Sequence, residues 1–215
     1  MHKKKSLLVT FEGIEGSGKS YQSLKLYRNL KKKRMPVILT REPGGTSSAE
    51  KIREIILDDY FHPNSREKFD KYTDTLLYLA ARNEHIKNKI KPAISKKINI
   101  ICDRFIDSTL AYQVYGKKVN RGLVDFIHKH ILESIKPDLT FILKVNMSTA
   151  LRRLKKRKKI NRYDKFSKNF YDRVQKAFLK IAKTDKKKYT IVDNSLDTPE
   201  TEKIIFKKFI KVFNK

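Results

Sequence analysis

The sequence predicts an α/β fold: a P-loop NTPase-type parallel five-stranded sheet, covered by helices on both faces, with a basic lid on the ligand side. Three observations carry this. Strand-like and helix-like apolar patterns alternate from end to end, the order expected of a parallel sheet with crossover helices. Five of the seven glycines fall in two clusters, Gly13-Ile14-Glu15-Gly16-Ser17-Gly18-Lys19-Ser20 and Arg41-Glu42-Pro43-Gly44-Gly45-Thr46. The first cluster matches G-x-x-x-x-G-K-[ST], and it lies between an apolar run and a helical pattern, as a phosphate-cradling loop requires.

Each element has its own justification. Residues 6–11 form a short apolar run, a buried first strand. Helix 19–33 follows, with Tyr21, Leu24, Tyr27 and Leu30 at helical spacing. Strand 37–40 opens after Pro36, where a missing N–H matters least. Helix 48–57 takes Ser48 as its candidate cap. A longer helix covers 66–88, with Leu76, Leu77, Leu79, Ala80 and Ala81. Strand 98–102 ends at Asp103, and helices are expected at 108–115 and 123–135. Strand 139–145, helices 149–155 and 168–183, strand 190–192 and helix 199–212 complete the chain, Pro199 suiting a first turn. No repeat or Pro/Gly/Ser-rich linker interrupts it, so residues 1–215 are expected to be one domain. In such sheets ligands sit beyond the strands' carboxyl ends. The glycine loop, Arg41 and Asp103-Arg104 should therefore converge on one crevice.

Composition narrows the class. A hydrophobic fraction of 39% over 215 residues supports a folded core. No apolar run is long enough to span a bilayer. The basic start at residues 1–5 resembles a signal peptide, but the apolar stretch stops at Glu12 and cleavage would remove the glycine loop. One cysteine, Cys102, precludes an internal disulfide and fits a reducing cytoplasm. In a predicted strand it reads as a buried inert thiol. The five histidines lack metal-ligand spacing. The net charge of +28 attracts polyanions. No helix-turn-helix, zinc finger or aromatic RNA-binding signature focuses it, so compositional drift toward lysine is preferred to a specific nucleic-acid partner.

The residues at the strand ends carry chemistry. Lys19 can reach β- and γ-phosphate oxygens, and Ser20 offers a hydroxyl to Mg²⁺. Asp103 is the candidate carboxylate beside that metal. Arg41 and Arg104 supply forked donors for a second phosphate; an ion pair between loops is their alternative. Tyr78 and Arg82, at i and i+4, share a helix face. They suit a stacked base with a hydrogen-bonded edge, or equally a core aromatic beside a surface charge. Residues 152–168 are basic and lack an apolar stripe after Leu154. They form either a solvated face or a lid over anionic ligands.

Order and spacing of Phe11–Ser20, Thr40–Thr46, Leu79-Ala80-Ala81-Arg82, Asp103–Gln113 and Pro137-Asp138-Leu139-Thr140 resemble those of thymidylate kinases over essentially the full length. The resemblance implies transfer of a phosphate from ATP to dTMP, giving dTDP, with Mg²⁺ held near Ser20 and Asp103. It implies ATP binding by Gly13, Ile14, Glu15, Gly16, Ser17, Gly18, Lys19 and Ser20. Arg41 and Arg104 would then bind the dTMP phosphate, and Tyr78, where the family commonly has Phe, would stack on thymine. Arg82 would meet a thymine carbonyl, and Gln113 with Ser108 or Thr109 the base's other polar edge. Tyr112 would pack near the sugar and disfavour a ribose hydroxyl, while Glu15 would contact the 3′-hydroxyl. Asp103-Arg104-Phe105 departs from the commoner Asp-Arg-Tyr or Asp-Arg-His. Some members carry a loop arginine where this chain has Gly16. The resemblance therefore moves the catalytic cations to the lid, as Arg153, Arg157 and Arg162, beside Lys19, Asp103 and Arg104. Asn161 stands where relatives often have Asp. A homodimer is implied in the same way.

Two other readings follow from the residues. One is another deoxynucleoside or nucleotide kinase with this loop, including activity on dUMP, which lacks only a methyl worth about 1–3 kcal/mol. The other is a basic nucleic-acid-binding ATPase.

Overall fold

Neighbouring positions of the first strand serve opposite layers, because a strand turns successive side chains to opposite faces. Leu7, Val9 and Phe11 enter one apolar cluster and Leu8 another. In the computed structural model, which describes residues 6–57, 68–157, 162–196 and 198–214, this strand is β1 (Leu8–Glu12), buried throughout. It is followed by α1 (Lys19–Lys32), β2 (Val37–Arg41), α2 (Ser47–Leu57), α3 (Lys71–His85), a π turn (Ile86–Ile90) and α4 (Lys91–Ser95). Next come β3 (Asn99–Asp103), α5 (Ile106–Thr109), a second π turn (Leu110–Gly116) and α6 (Arg121–Leu132). The chain closes with β4 (Leu139–Lys144), α7 (Met147–Lys155), a 3₁₀ turn (Arg162–Lys165), α8 (Lys168–Ala182), β5 (Tyr189–Asp193) and α9 (Pro199–Phe213).

The five strands form one parallel sheet in the order β2-β3-β1-β4-β5. Leu26 and Leu30 of α1 and Ile205 and Phe209 of α9 cover one face, against Phe11, Ile101 and Phe141. On the other face the first π turn packs Ile86 and Ile90 on Ile100 and Cys102, while Val174 and Phe178 of α8 share a cluster with Ile142. A Thr10–Thr140 hydroxyl pair, 2.8 Å apart, satisfies both polar groups inside this layer. Cys102 is buried and free, as expected of an inert thiol.

Three expectations are corrected. The helix expected over 66–88 begins at Lys71 among the described residues; positions 66 and 67 lie outside them. At its other end it passes through the π turn into α4, where the Lys91 N–H donates to the Ile86 carbonyl. Pro92 explains the change of pitch, since its ring crowds the carbonyl four residues back and it lacks an N–H. The helix expected over 108–115 likewise starts at Ile106 and widens into a π turn from Leu110, closed by Lys117 N–H donating to the Tyr112 carbonyl at 2.8 Å. Finally, Ser48 is not the cap of α2. Thr46 Oγ1 accepts from Ala49 N–H at 3.3 Å, and Ser48 donates instead to Glu84 at 2.7 Å.

Candidate active site

The sheet register brings the strand ends together. Arg41 pairs with Asp103, and Asp103 with Phe11, one residue before the end of β1. The Glu42 N–H donates to the Asp103 carbonyl at 3.0 Å, and the Arg104 N–H to the Phe11 carbonyl at 2.9 Å. A cleft of about 170 Å³ opens there, lined by Lys19, Ser20, Arg41, Asp103, Arg104 and Arg157 among others.

The glycine loop makes one wall. Gly18 precedes α1 with φ 87°, and α1 has no side-chain cap and no acidic residue in its first turn. Its first N–H groups therefore have no carboxylate competing with an anion. Lys19 turns back on its own loop, donating to the Ile14 carbonyl at 2.7 Å and to Ser17 Oγ at 3.4 Å. Burial, reinforced by the Arg104 charge, pushes its ammonium down to about 7. Gly16 has φ 73°, and a Cβ there would stand 2.5 Å from the Ala150 carbonyl oxygen of α7. The same helix sends Arg153 to the Gly16 carbonyl at 3.0 Å and the Asn194 carbonyl at 2.9 Å. Asn194 Nδ2 in turn donates to the Ser17 carbonyl at 2.7 Å. Arg153 thus braces the glycine loop against the loop after β5.

Beside the loop, Ser20 Oγ donates to Asp103 Oδ2. The other oxygen, Asp103 Oδ1, is buried without a hydrogen-bond partner. An unused carboxylate oxygen next to a hydroxyl suits a magnesium ion, which takes one or two protein oxygens and completes its shell with water and phosphate. Among the described residues no cluster of three or more His, Cys, Asp or Glu could hold a metal by itself.

Arg104 is the hub of the far wall. It holds φ 71°, an uncommon region for a side-chain-bearing residue. Its guanidinium donates to the Gly13 carbonyl at 2.9 Å, Ser108 Oγ at 3.0 Å and Glu15 Oε1 at 2.8 Å, and lies 5.1 Å over the Tyr112 ring. Tyr112 donates its phenol to Glu15 Oε2. Glu12, missed by the sequence reading, is wholly buried and anchors this wall. It accepts from Phe105 N–H at 2.7 Å and Ser108 Oγ at 2.6 Å. Burial, helped by nearby Asp107, pushes its carboxyl up to about 7. Arg41 is more exposed and pairs with Glu50 at 3.0 Å.

Next to the cleft, Tyr78, Arg82, Tyr112, Gln113 and Tyr163 line a smaller cavity of about 30 Å³, the room of roughly one water. Arg82 is neither a surface charge nor a free one, being 2% exposed. It donates to Glu42 at 2.7 Å, Thr109 Oγ1 at 2.8 Å, His128 Nε2 at 2.7 Å and the Phe105 carbonyl at 2.8 Å. Only one guanidinium N–H, on Nη2, is left for a ligand. Its neighbours Glu42 and His128 were also missed by the sequence reading. His85 Nδ1 completes the group, 2.9 Å from Glu42.

The expected lid arginines separate. Arg157 lines the cleft beside Lys19 and pairs with Asp164 at 2.8 Å. Arg162, expected beside it, is instead ion-paired with the buried Asp74 of α3, next to Tyr163 of the smaller cavity. Arg153 acts at the glycine loop as described. Asn161 lies outside the described residues.

A family model described as thymidylate kinase matches residues 11–205. The chain belongs to the thymidylate kinase family. It is 39% identical over 193 residues to a thymidylate kinase of Mycoplasma capricolum, covering 89% of this chain and 88% of that one. It is 43% identical over 178 residues to a thymidylate kinase of Wolbachia pipientis wMel, covering 82% and 85%. The crystal structure of thymidylate kinase from Ehrlichia chaffeensis superposes with a TM-score of 0.74 at 32% identity, covering 95% of this chain and 99% of that one. As a thymidylate kinase family member, the chain has the expected P-loop fold. No described helix is long and apolar enough to cross a membrane.

Proposed function

We propose that this protein transfers the terminal phosphate of ATP to dTMP, giving ADP and dTDP. The observation that carries the reading is the single cleft in which Lys19 and Ser20 face Arg41 and Arg104, with the Tyr78 cavity adjoining. One end suits a triphosphate and the other a nucleoside monophosphate.

The chemistry needs positioned charge more than a base. The acceptor's phosphate is largely a dianion above its second pKa of about 6, so an oxygen can attack without losing a proton first. The bond from the γ-phosphorus to that oxygen forms, and the bond to the β–γ bridging oxygen breaks, its electrons leaving with ADP. Negative charge spreads over the transferred group's oxygens, where cations lower the barrier. The α1 N-terminus and Lys19 hold the donor; Arg104, already oriented by Glu15 and Gly13, holds the acceptor with Arg41. Arg41 must leave Glu50 to do so. Arg157 lines the cleft as a further cation, as does Arg53. Ser20 and Asp103 would hold a magnesium ion, which would supply positive charge to neutralise the donor's phosphates. Tyr78 offers a ring face to the base, the free Arg82 N–H meets a base carbonyl, and Gln113 serves the remaining edge with Ser108 and Thr109 behind it. Glu15 and Tyr112, bonded to each other, would meet the sugar.

The reading extends to a cytoplasmic enzyme and a homodimer. Tyr72 and Leu76 of α3 and Phe126 of α6 are exposed apolar side chains available to a second copy, and sedimentation tests the dimer directly. For the activity, ADP release is measured with dTMP, dUMP, dGMP or single-stranded DNA added singly. Stimulation by dTMP is expected; stimulation by DNA alone would replace the kinase with a nucleic-acid-dependent ATPase.

A further inference from the structure

Asp74 lies in the second half-turn of α3 with a fully buried side chain, yet capping does not explain it. Asp70 caps that helix, accepting from Tyr72 N–H at 2.7 Å. A buried carboxylate is tolerated only with partners, and Asp74 collects them from distant parts of the chain. Lys117 Nζ donates to it at 2.6 Å, Tyr163 Oη at 3.2 Å and Gln113 Nε2 at 3.4 Å, and Arg162 forms an ion pair with it. Asp74 stands one helical turn before Tyr78, and the Tyr163 ring meets the Tyr78 and Tyr112 rings edge-on with centroids 6.0 Å apart in both pairs. The acidic group is thus tied at once to the base end of the acceptor cavity and to the 162–165 turn that roofs it.

Its chemistry fixes one further detail. An ionised carboxylate only accepts, so the Gln113 group facing Asp74 is the NH₂. The Gln113 carbonyl is then the atom left for a ligand. A carbonyl accepts the N3–H of thymine or uracil and confronts the N3 lone pair of cytosine. Resting on the proposed function, we infer that Asp74 is a positioning residue: it orients the Gln113 amide for an imide base and latches the Arg162–Lys165 turn over that base.

The test uses the full-length enzyme with saturating ATP and dTMP, dUMP or dCMP, together with limited tryptic digestion in the absence of nucleotide. Wild-type turnover with dTMP is read first; its absence removes the proposed function, whereas digestion still reads the latch. Asp74→Asn keeps the shape but turns one acceptor into a donor. Expected are a KM for dTMP raised about tenfold, the scale of one charge-assisted hydrogen bond, and a kcat within about threefold of wild type. The dTMP-over-dCMP preference in kcat/KM should fall by a similar factor, and cleavage after Arg162 and Lys165 should accelerate. Arg162→Met should raise KM and accelerate cleavage after Lys165 while leaving the base preference alone. A merely structural Asp74 would lower Tm without moving preference or cleavage, and that result in folded Asp74→Asn overturns the inference. Should Asp74→Asn fail to fold, Arg162→Met and Gln113→Leu divide the question: the first should move KM and cleavage, the second the base preference, and no change in either pair of readouts overturns it.

Discussion

Lys19 gives the most direct way to watch the glycine loop fill. In the empty loop its ammonium titrates near 7, lowered by burial and by Arg104 from an ordinary 10.5. Among the described residues, its only hydrogen-bond acceptors there are a carbonyl and a hydroxyl of the loop itself. A bound triphosphate brings several negative charges to the same place and returns the pKa toward its ordinary value. The bound state therefore holds more protons than the free state wherever pH lies between the two values, and affinity falls as pH rises through that window. At pH 8 about nine-tenths of the free lysine is neutral, so binding ATP should take up about 0.9 proton. From pH 7.5 to 9, above the second pKa of a terminal phosphate, affinity should drop roughly twentyfold, or about 2 kcal/mol.

Calorimetry of ATP binding in buffers of different ionisation enthalpy counts the proton, and the same titrations give the affinity. Lys19→Met supplies the control: whatever affinity survives should be flat over this pH range, with no proton taken up. An uptake near zero in the native protein at pH 8 would refute the reasoning, since it would mean the lysine is already charged in the empty loop. Uptake that persists in Lys19→Met would assign the proton elsewhere.

Removing the Arg157 guanidinium, by Arg157→Ala, should lower kcat by about 10²-fold or more while the dTMP dissociation constant changes little; unchanged turnover in rapid-quench assays would remove Arg157 from the phosphate cleft's chemistry. Gly16→Ala should weaken ATP binding and lower Tm, because its Cβ would meet the Ala150 carbonyl oxygen at 2.5 Å; scanning calorimetry and ATP titration read both. His128 is held near 3 by burial and the Arg82 charge, against 6.5 when free. The unfolded chain therefore binds its proton first, so stability is full above pH 6.5 and declines as pH falls toward 3. About 2 kcal/mol should be lost at His128 by pH 5, and urea melts of His128→Gln should lack that component. Glu12, whose folded value is raised, acts in the opposite sense over the same range, so the comparison must be made between the two proteins rather than read from the native slope alone.

What the sequence made legible was local. Gly13 to Ser20 announce their loop because spacing along a dozen residues fixes both the turn and the helix start, and Arg41 and Asp103 follow from being at strand ends of a parallel sheet. The π turns were not legible, since the residues from Ile86 to Ile90 suit an ordinary helix and only Pro92 hints at the change of pitch. Ser48 was preferred as a cap to Thr46 because both residue types serve, and the choice depends on where the backbone first turns. Glu42, Asp74 and His128 went unread for a different reason. Each is defined by partners far along the chain, such as residues 82 and 85 for Glu42, and 113, 117 and 162 for Asp74. One signal was present: Asp74, Tyr78 and Arg82 recur at four-residue intervals on a single helix face. A carboxylate and a guanidinium on the face that also carries an aromatic would be costly to bury without partners, which makes that face a polar site rather than plain core.

The placement of the lid cations has a steric cause that the sequence alone could not show. The resemblance marks Gly16 as a position where some family members carry an arginine. In the fold, its missing side chain is what lets the Ala150 backbone of α7 approach the loop. That approach in turn brings Arg153 within 3.0 Å of the Gly16 carbonyl. A side chain at position 16 would push α7 outward and break the brace, so a loop arginine and this seating of α7 exclude one another. Of Arg153, Arg157 and Arg162, Arg157, two residues past the last helical residue of α7, is the one that lines the cleft with Lys19. Arg162 is spoken for by Asp74. The separation of the three arginines therefore follows from two packing facts, a glycine too close to α7 to carry a side chain and a buried Asp74; on the proposed function, Arg153 would brace the donor loop, Arg157 would face the transferred phosphate and Arg162 would fasten the turn beside the base.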